Sequence, residues 1–221
     1  NCEARAMKLD LLYEIDAPRP WTDGPHPYGQ RRREQRAYRE AIEQIKLADK
    51  LGFQIAVHAI GDAGVRRTLD AYELAQKANG KRDSRHRIEH IEVIDKGDIP
   101  RLKQLGVIAS LQPIVGLGVP GNPLEPCLTR IGEKLPQSYA WATLRETGAK
   151  IAFSSDWPVS PLDPFLGMQS AMTAVPLSPA CPPQNQSLMD TLESFTATGA
   201  YTEFAEHKKG KLMPGMLADM I

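Results

Sequence analysis

The feature that most limits how this chain can fold is a unit that recurs three times, in which a charged helix stops at glycine and a short apolar, β-branched run follows. It surrounds Gly52 (ADKLGFQIAVH, residues 48–58), Gly106 (LKQLGVIASLQ, 102–112) and Gly148 (LRETGAKIAFSSD, 144–156). Glycine suits the left-handed residue just past a helix end, because it lacks the Cβ that would clash there. The runs that follow are short and nearly continuous in apolar residues, as expected of parallel strands covered on both faces. A fourth run, residues 87–93, comes after a helix expected over 64–78 and a turn-rich loop at 79–84. The order is therefore α-β-α-β-α-β-α-β with a last helix near 187–201, which implies βαβ crossovers and one parallel sheet, an α/β fold.

The flanks are of a different kind. Residues 16–29 hold four prolines and two glycines, which excludes regular helix or central strand, so residues 1–29 are expected to be an irregular segment. From Gln30 to Leu51 the apolar residues Tyr38, Ala41, Ile42, Ile45, Ala48 and Leu51 recur at three- and four-residue steps, the spacing of an amphipathic helix. The Arg31, Arg32, Arg33 run at its start reads as a solvated first turn, with Glu34 adjoining. Lys and Arg number 27 against 27 Asp and Glu, a balance that argues against nucleic acid as a partner. No run approaches the ~20 apolar residues of a membrane helix. Cys2, Cys127 and Cys181 fit neither a disulfide framework nor a CxxC metal site, so a reducing, cytoplasmic compartment is expected.

In parallel α/β sheets, ligands collect at the carboxyl ends of the strands. Four successive strand ends carry His58, His90, Gln112 and Asp156. Two imidazoles and a carboxylate on one rim suit zinc or a similar divalent ion, which takes neutral His nitrogen and Asp oxygen. A competing motif overlaps them: His86, Glu89 and His90 match H-x-x-E-H, which on a helix would set two zinc ligands one turn apart with a glutamate between. The preceding loop and the β-branched continuation at 91–94 favour a strand instead. There His86 and His90 stand about 13 Å apart and cannot share an ion. No P-loop, G-x-G-x-x-G or G-x-S-x-G elbow occurs, and His26 and His207 sit in polar, exposed contexts.

At these residues the sequence resembles a known group. VHAIGD (57–62), RHRIEH (85–90), ASLQP (109–113) and FSSDWPV (153–159) resemble, in order and spacing, motifs of the amidohydrolase superfamily, in the third-family branch that includes N-substituted formamide deformylase-like enzymes. The resemblance runs from about Gln30 to Ile221. It implies the C-terminal half of a (β/α)8, TIM-like barrel over residues 30–203, with a metal centre at its rim. His58 and His90 would be ligands, and Asp156 a metal-bound carboxylate and general base. The reaction implied is hydrolysis of an amide-like C–N bond, other than a peptide bond, in a small molecule. KGKLMPGMLAD (209–219) resembles the point where such chains leave the barrel, so residues 204–221 are expected to begin a β-sandwich segment.

The resemblance also implies an H-x-H pair on a first strand and a bridging Lys or acidic residue on a fourth. No H-x-H occurs in these 221 residues, and Lys8 lies in the irregular beginning. The chain is therefore expected to be part of a longer hydrolase, completed by an N-terminal half or by a second copy. A catalytically incomplete half barrel, acting as a structural or binding module, is the alternative.

Overall fold

In a computed structural model, residues 28–116 and 131–217 are described, with side chains from Arg36 onward. Cys2, Lys8, His26 and Cys127 lie outside this set, as do residues 1–27, where the irregular segment was expected, and the side chains of Arg31, Arg32 and Arg33.

The described helices and strands follow in the order α1 (Tyr28–Lys50), β1 (Ala56–Ala59), α2 (Asp62–Asn79), β2 (Arg87–His90), α3 (Ile99–Leu105), β3 (Ile108–Leu111), α4 (Trp141–Glu146), β4 (Lys150–Phe153), α5 (Pro164–Thr173), α6 (Leu188–Phe195) and α7 (Ala197–Thr202). Short 3-10 turns occupy Pro113–Val115 and Gly132–Gln137. The four strands form one parallel sheet in the order β1-β2-β3-β4, each adding beside the last. Sequential parallel strands joined by helices are the building units of a (β/α)8 barrel.

The three glycines mark the helix-to-strand joints as their sequence context requires: Gly52, Gly106 and Gly148 have φ of 87°, 69° and 84°. Strand register then sorts the side chains into rows. Val57, Ile88, Ala109 and Ile151 lie side by side, and all four belong to the main hydrophobic core with Leu69, Tyr72, Leu102 and Leu144 from the helices. One residue further along, His58, Glu89, Ser110 and Ala152 form a row that points the other way, because successive strand residues alternate faces. One face of the sheet is thus sealed by helices, and the opposite face carries the polar row.

Two boundaries differ from the sequence expectation. The first helix begins at Tyr28 rather than Gln30, so Tyr28 and Gly29 belong to it and not to the loop. The last helix is two, broken at Thr196, whose backbone leaves the helical region (φ −122°, ψ −80°). The Thr196 hydroxyl donates to the Leu192 carbonyl at 2.7 Å, and this local bond competes with the helix ladder and bends the chain. Residues 205–217 run as turns and bends without a strand. Among the described residues no helix is long and apolar enough to cross a membrane.

Candidate metal centre

His58 is the third of four residues in β1, exposed between buried neighbours, and His90 is the last residue of β2. Their register is not the obvious one: His58 lies beside Glu89, and Ala59 beside His90. Regular pleating would send the His90 side chain to the helix-covered face with Ile88, away from His58. It does not go there. His90 has φ of 78°, and Ile91 follows at 48°. Rotation about the N–Cα bond carries the Cβ to the other side, and the two imidazoles meet edge to face with ring centroids 4.2 Å apart.

Positive φ is uncommon for any residue but glycine, and for a β-branched one such as Ile91 it is a genuine outlier, costing about 1–3 kcal/mol per position. Such a corner persists only where the surroundings over-determine it. Here Ile91 N–H donates to the Ala59 carbonyl (3.1 Å), Val93 N–H to the Ile60 carbonyl (3.0 Å) and Tyr139 N–H to the Glu92 carbonyl (2.8 Å). Val93 also bridges to Ser138. Strain held by surrounding bonds in this way clusters at functional sites.

Asp156 stands three residues past β4 and is also at positive φ, 58°, followed by a cis Trp157–Pro158 bond. Among the described residues, neither the Asp156 carboxylate nor the ring nitrogens of His58 and His90 take a hydrogen-bond partner. The structure brings the two histidines together and leaves Asp156 apart from them. Among the described residues no three His, Cys, Asp or Glu side chains are grouped closely enough to hold a metal ion. The donor chemistry of the pair nevertheless suits zinc, which binds neutral imidazole nitrogen. Two adjacent rings with no competing partner among the described residues would supply two of the four donors such an ion takes.

The fourth strand-end residue, Gln112, is buried and turned inward, its Nε2 donating to Ser154 Oγ at 3.0 Å. His86, the other histidine of H-x-x-E-H, lies at the opposite end of β2, 2% exposed against Asp49. The segment is a strand, so the helical metalloprotease arrangement is absent. Sequence reading passed over Glu89 as a member of the polar row beside His58. Only the register could reveal it, and its carboxylate is already engaged by Arg87 at 2.6 Å. A cavity of about 860 Å³ is lined by Pro113, Val115, Tyr139, Trp141, Val159 and Gln169 among others. None of the three expected ligands is in its described wall.

The described chain is a parallel α/β sheet with its two paired histidines at adjacent strand ends, and comparison with known proteins gives the family. Residues 5–221 match the amidohydrolase family, and the chain belongs to it, in its third branch. It is 35% identical over 222 residues to Protein LONG AFTER FAR-RED 3 of Arabidopsis thaliana, covering 96% of this chain and 35% of that one. It is 23% identical over 176 residues to an N-substituted formamide deformylase of Arthrobacter pascens, covering 79% of this chain and 32% of the relative. Among solved structures, an uncharacterized metal-dependent hydrolase from Pyrococcus furiosus superposes with a TM-score of 0.65 at 30% identity, over 82% of this chain and 35% of that one. The chain spans about a third of the length of the curated relatives it matches.

Proposed function

We propose that this chain contributes part of the active site of a metal-dependent hydrolase that cleaves an amide-like C–N bond, other than a peptide bond, in a small molecule. The observation that carries the reading is the pair of imidazoles His58 and His90, without hydrogen-bond partners among the described residues and held ring to ring at the carboxyl ends of adjacent parallel strands. A shared cation would add to the edge-to-face contact that holds these rings at a strained corner. His58 and His90 would hold a divalent ion, zinc by its donor preference, and when bound it supplies Lewis acidity toward the scissile carbonyl. Asp156, whose carboxylate takes no hydrogen bond from the described residues, accepts a proton from the attacking water and passes it to the leaving nitrogen. The family relationship and the formamide deformylase relative support the bond class.

Residues 30–203 are read as half of the barrel, 204–221 as the start of a β-sandwich segment, and the compartment as cytoplasmic, consistent with a free Cys181. The remaining ligands come from a further segment or a second copy. A different reading, a half barrel acting as a structural or binding module, is favoured by the lack of a three-residue cluster among the described residues. Metal analysis of the purified chain decides between them. Stoichiometric zinc that disappears in His58→Ala and in His90→Ala is the expected result; a wild-type chain that retains no divalent metal after zinc loading leaves only the module.

A further inference from the structure

Two residues that line the same small void, Gln112 and Trp141, each carry a buried polar atom with no hydrogen-bond partner among the described residues. Gln112 is 5% exposed and Trp141 4%, and both Gln112 Oε1 and Trp141 Nε1 are unpaired. The orientation of the Gln112 amide is fixed by its other end: Nε2 donates to Ser154 Oγ at 3.0 Å and faces the Ser110 carbonyl at 3.5 Å, which can only accept. The oxygen is therefore the free end, an acceptor, while the Trp141 indole N–H is a donor only. Gln112 and Trp141 line one pocket of about 10 Å³, bounded also by His90, Ile91, Leu111 and Tyr139.

That volume is the room of one water-sized sphere, and a buried water needs two to four polar partners. An orphan acceptor and an orphan donor on two residues that line one void are what a single water can satisfy, since it donates to the first and accepts from the second. Left dry, both atoms would bear the full desolvation cost of an unmade hydrogen bond. We propose that this pocket is a specific site for one water molecule, bridging Gln112 Oε1 and the Trp141 indole N–H and tying the end of β3 to the start of α4 against the His90–Ile91 corner. The site depends on no metal and no substrate.

The test uses the full chain, stripped of metal with chelator, and compares Gln112→Met, Trp141→Phe and the double variant by thermal unfolding. If one water bridges the two groups, each single change strands it and lowers Tm by about 2–4 °C. The double variant then falls by less than the sum of the two single ones, because the bridge is lost only once while the Gln112–Ser154 bond and the indole's volume are lost independently. Single changes that raise Tm, by removing an unsatisfied atom from a dry pocket, overturn the proposal, and so do shifts that simply add. A high-resolution crystal structure gives a second reading should a variant fail to fold. Density for one water within hydrogen-bond distance of both atoms supports the site; an empty pocket, or a direct bond between Gln112 Oε1 and Trp141 Nε1, sinks it.

Discussion

His86 Nε2 lies 3.1 Å from Asp49 Oδ1, with both side chains 2% exposed, and the backbone N–H of Ile55 donates to the other ring nitrogen, Nδ1, at 3.1 Å. The second bond fixes the tautomer: Nδ1 accepts, so Nε2 carries the proton and donates to the carboxylate. Burial pushes His86 down to about 4, against the partial pull of Asp49 in the other direction. Asp49 is raised by burial, but bonds from Asn79, His86 and Arg82 outweigh this and leave it below the usual carboxylate range. A protonated His86 would also lose the acceptor that Ile55 N–H needs.

The sign of the resulting pH dependence follows from which state binds more protons. Below pH 6.5 the unfolded chain protonates at His86 while the folded chain does not. Stability is therefore full above pH 6.5 and falls as pH drops toward 4, by about 3 kcal/mol from this residue. Urea unfolding between pH 7 and 4 checks this; in His86→Gln the same range should show a much shallower decline. Equal slopes in the two proteins would show that His86 is not the titrating group.

Backbone strain makes opposite predictions at the two histidines. At His90, with φ of 78°, glycine relieves the clash of a Cβ in the left-handed region, so His90→Gly should be more stable than His90→Ala by about 1 kcal/mol. At His58, in ordinary strand conformation, the order reverses and the alanine variant should be the more stable by about 0.5–1 kcal/mol. Chemical denaturation of the four variants measures both differences, and all four should lose zinc.

Arg85 joins the loop before β2 to the region after α7. Its guanidinium stacks on Tyr201 (3.7 Å to the ring centroid) and Phe204 (4.1 Å), pairs with Asp83 and Glu206 at 2.9 and 2.8 Å, and donates to the Tyr201 carbonyl. The Arg85 side chain holds the Glu206 carboxyl down to about 2. Arg85→Ala should lose about 2 kcal/mol, and Arg85→Lys should recover less than half of it, because an ammonium can neither fork across two carboxylates nor stack as a plane. Equilibrium unfolding of the two variants gives the comparison, and full recovery by lysine would mean that charge alone matters.

Among the described residues, β1 and β4 each have a strand on one side only. Unpaired strand edges are templates for association, so the purified chain should sediment as a dimer or larger species. A soluble monomer at all accessible concentrations would count against pairing with a second copy.

The sheet and the helix-to-strand joints were legible because each rests on a local rule. Gly52, Gly106 and Gly148 sit where only a residue without Cβ is comfortable, and Val57, Ile88, Ala109 and Ile151 sit in runs that one buried face requires. His58, His90 and Asp156 could be placed at strand ends by the same reasoning. What could not be read was anything set by one backbone angle. Nothing in the letters around His90 announces a positive φ, and without it the pair would face apart. The break at Thr196 is of the same kind, since a threonine hydroxyl serves a helix or bends it according to its surroundings. His86 was visible as part of a motif but not as the partner of Asp49, which lies 37 residues away in sequence.

The reversal at His90 has one more effect. A pleated strand ordinarily presents every second residue to a given side, so two neighbouring side chains cannot both serve the same site. By turning over at its last residue, β2 delivers Glu89 and His90, consecutive in the chain, to the side occupied by His58. The strand thereby sets His90 beside Glu89 on that side, where an unbroken pleat would turn it to the helix-covered face, and a substitution at either position alters the immediate neighbour of the other.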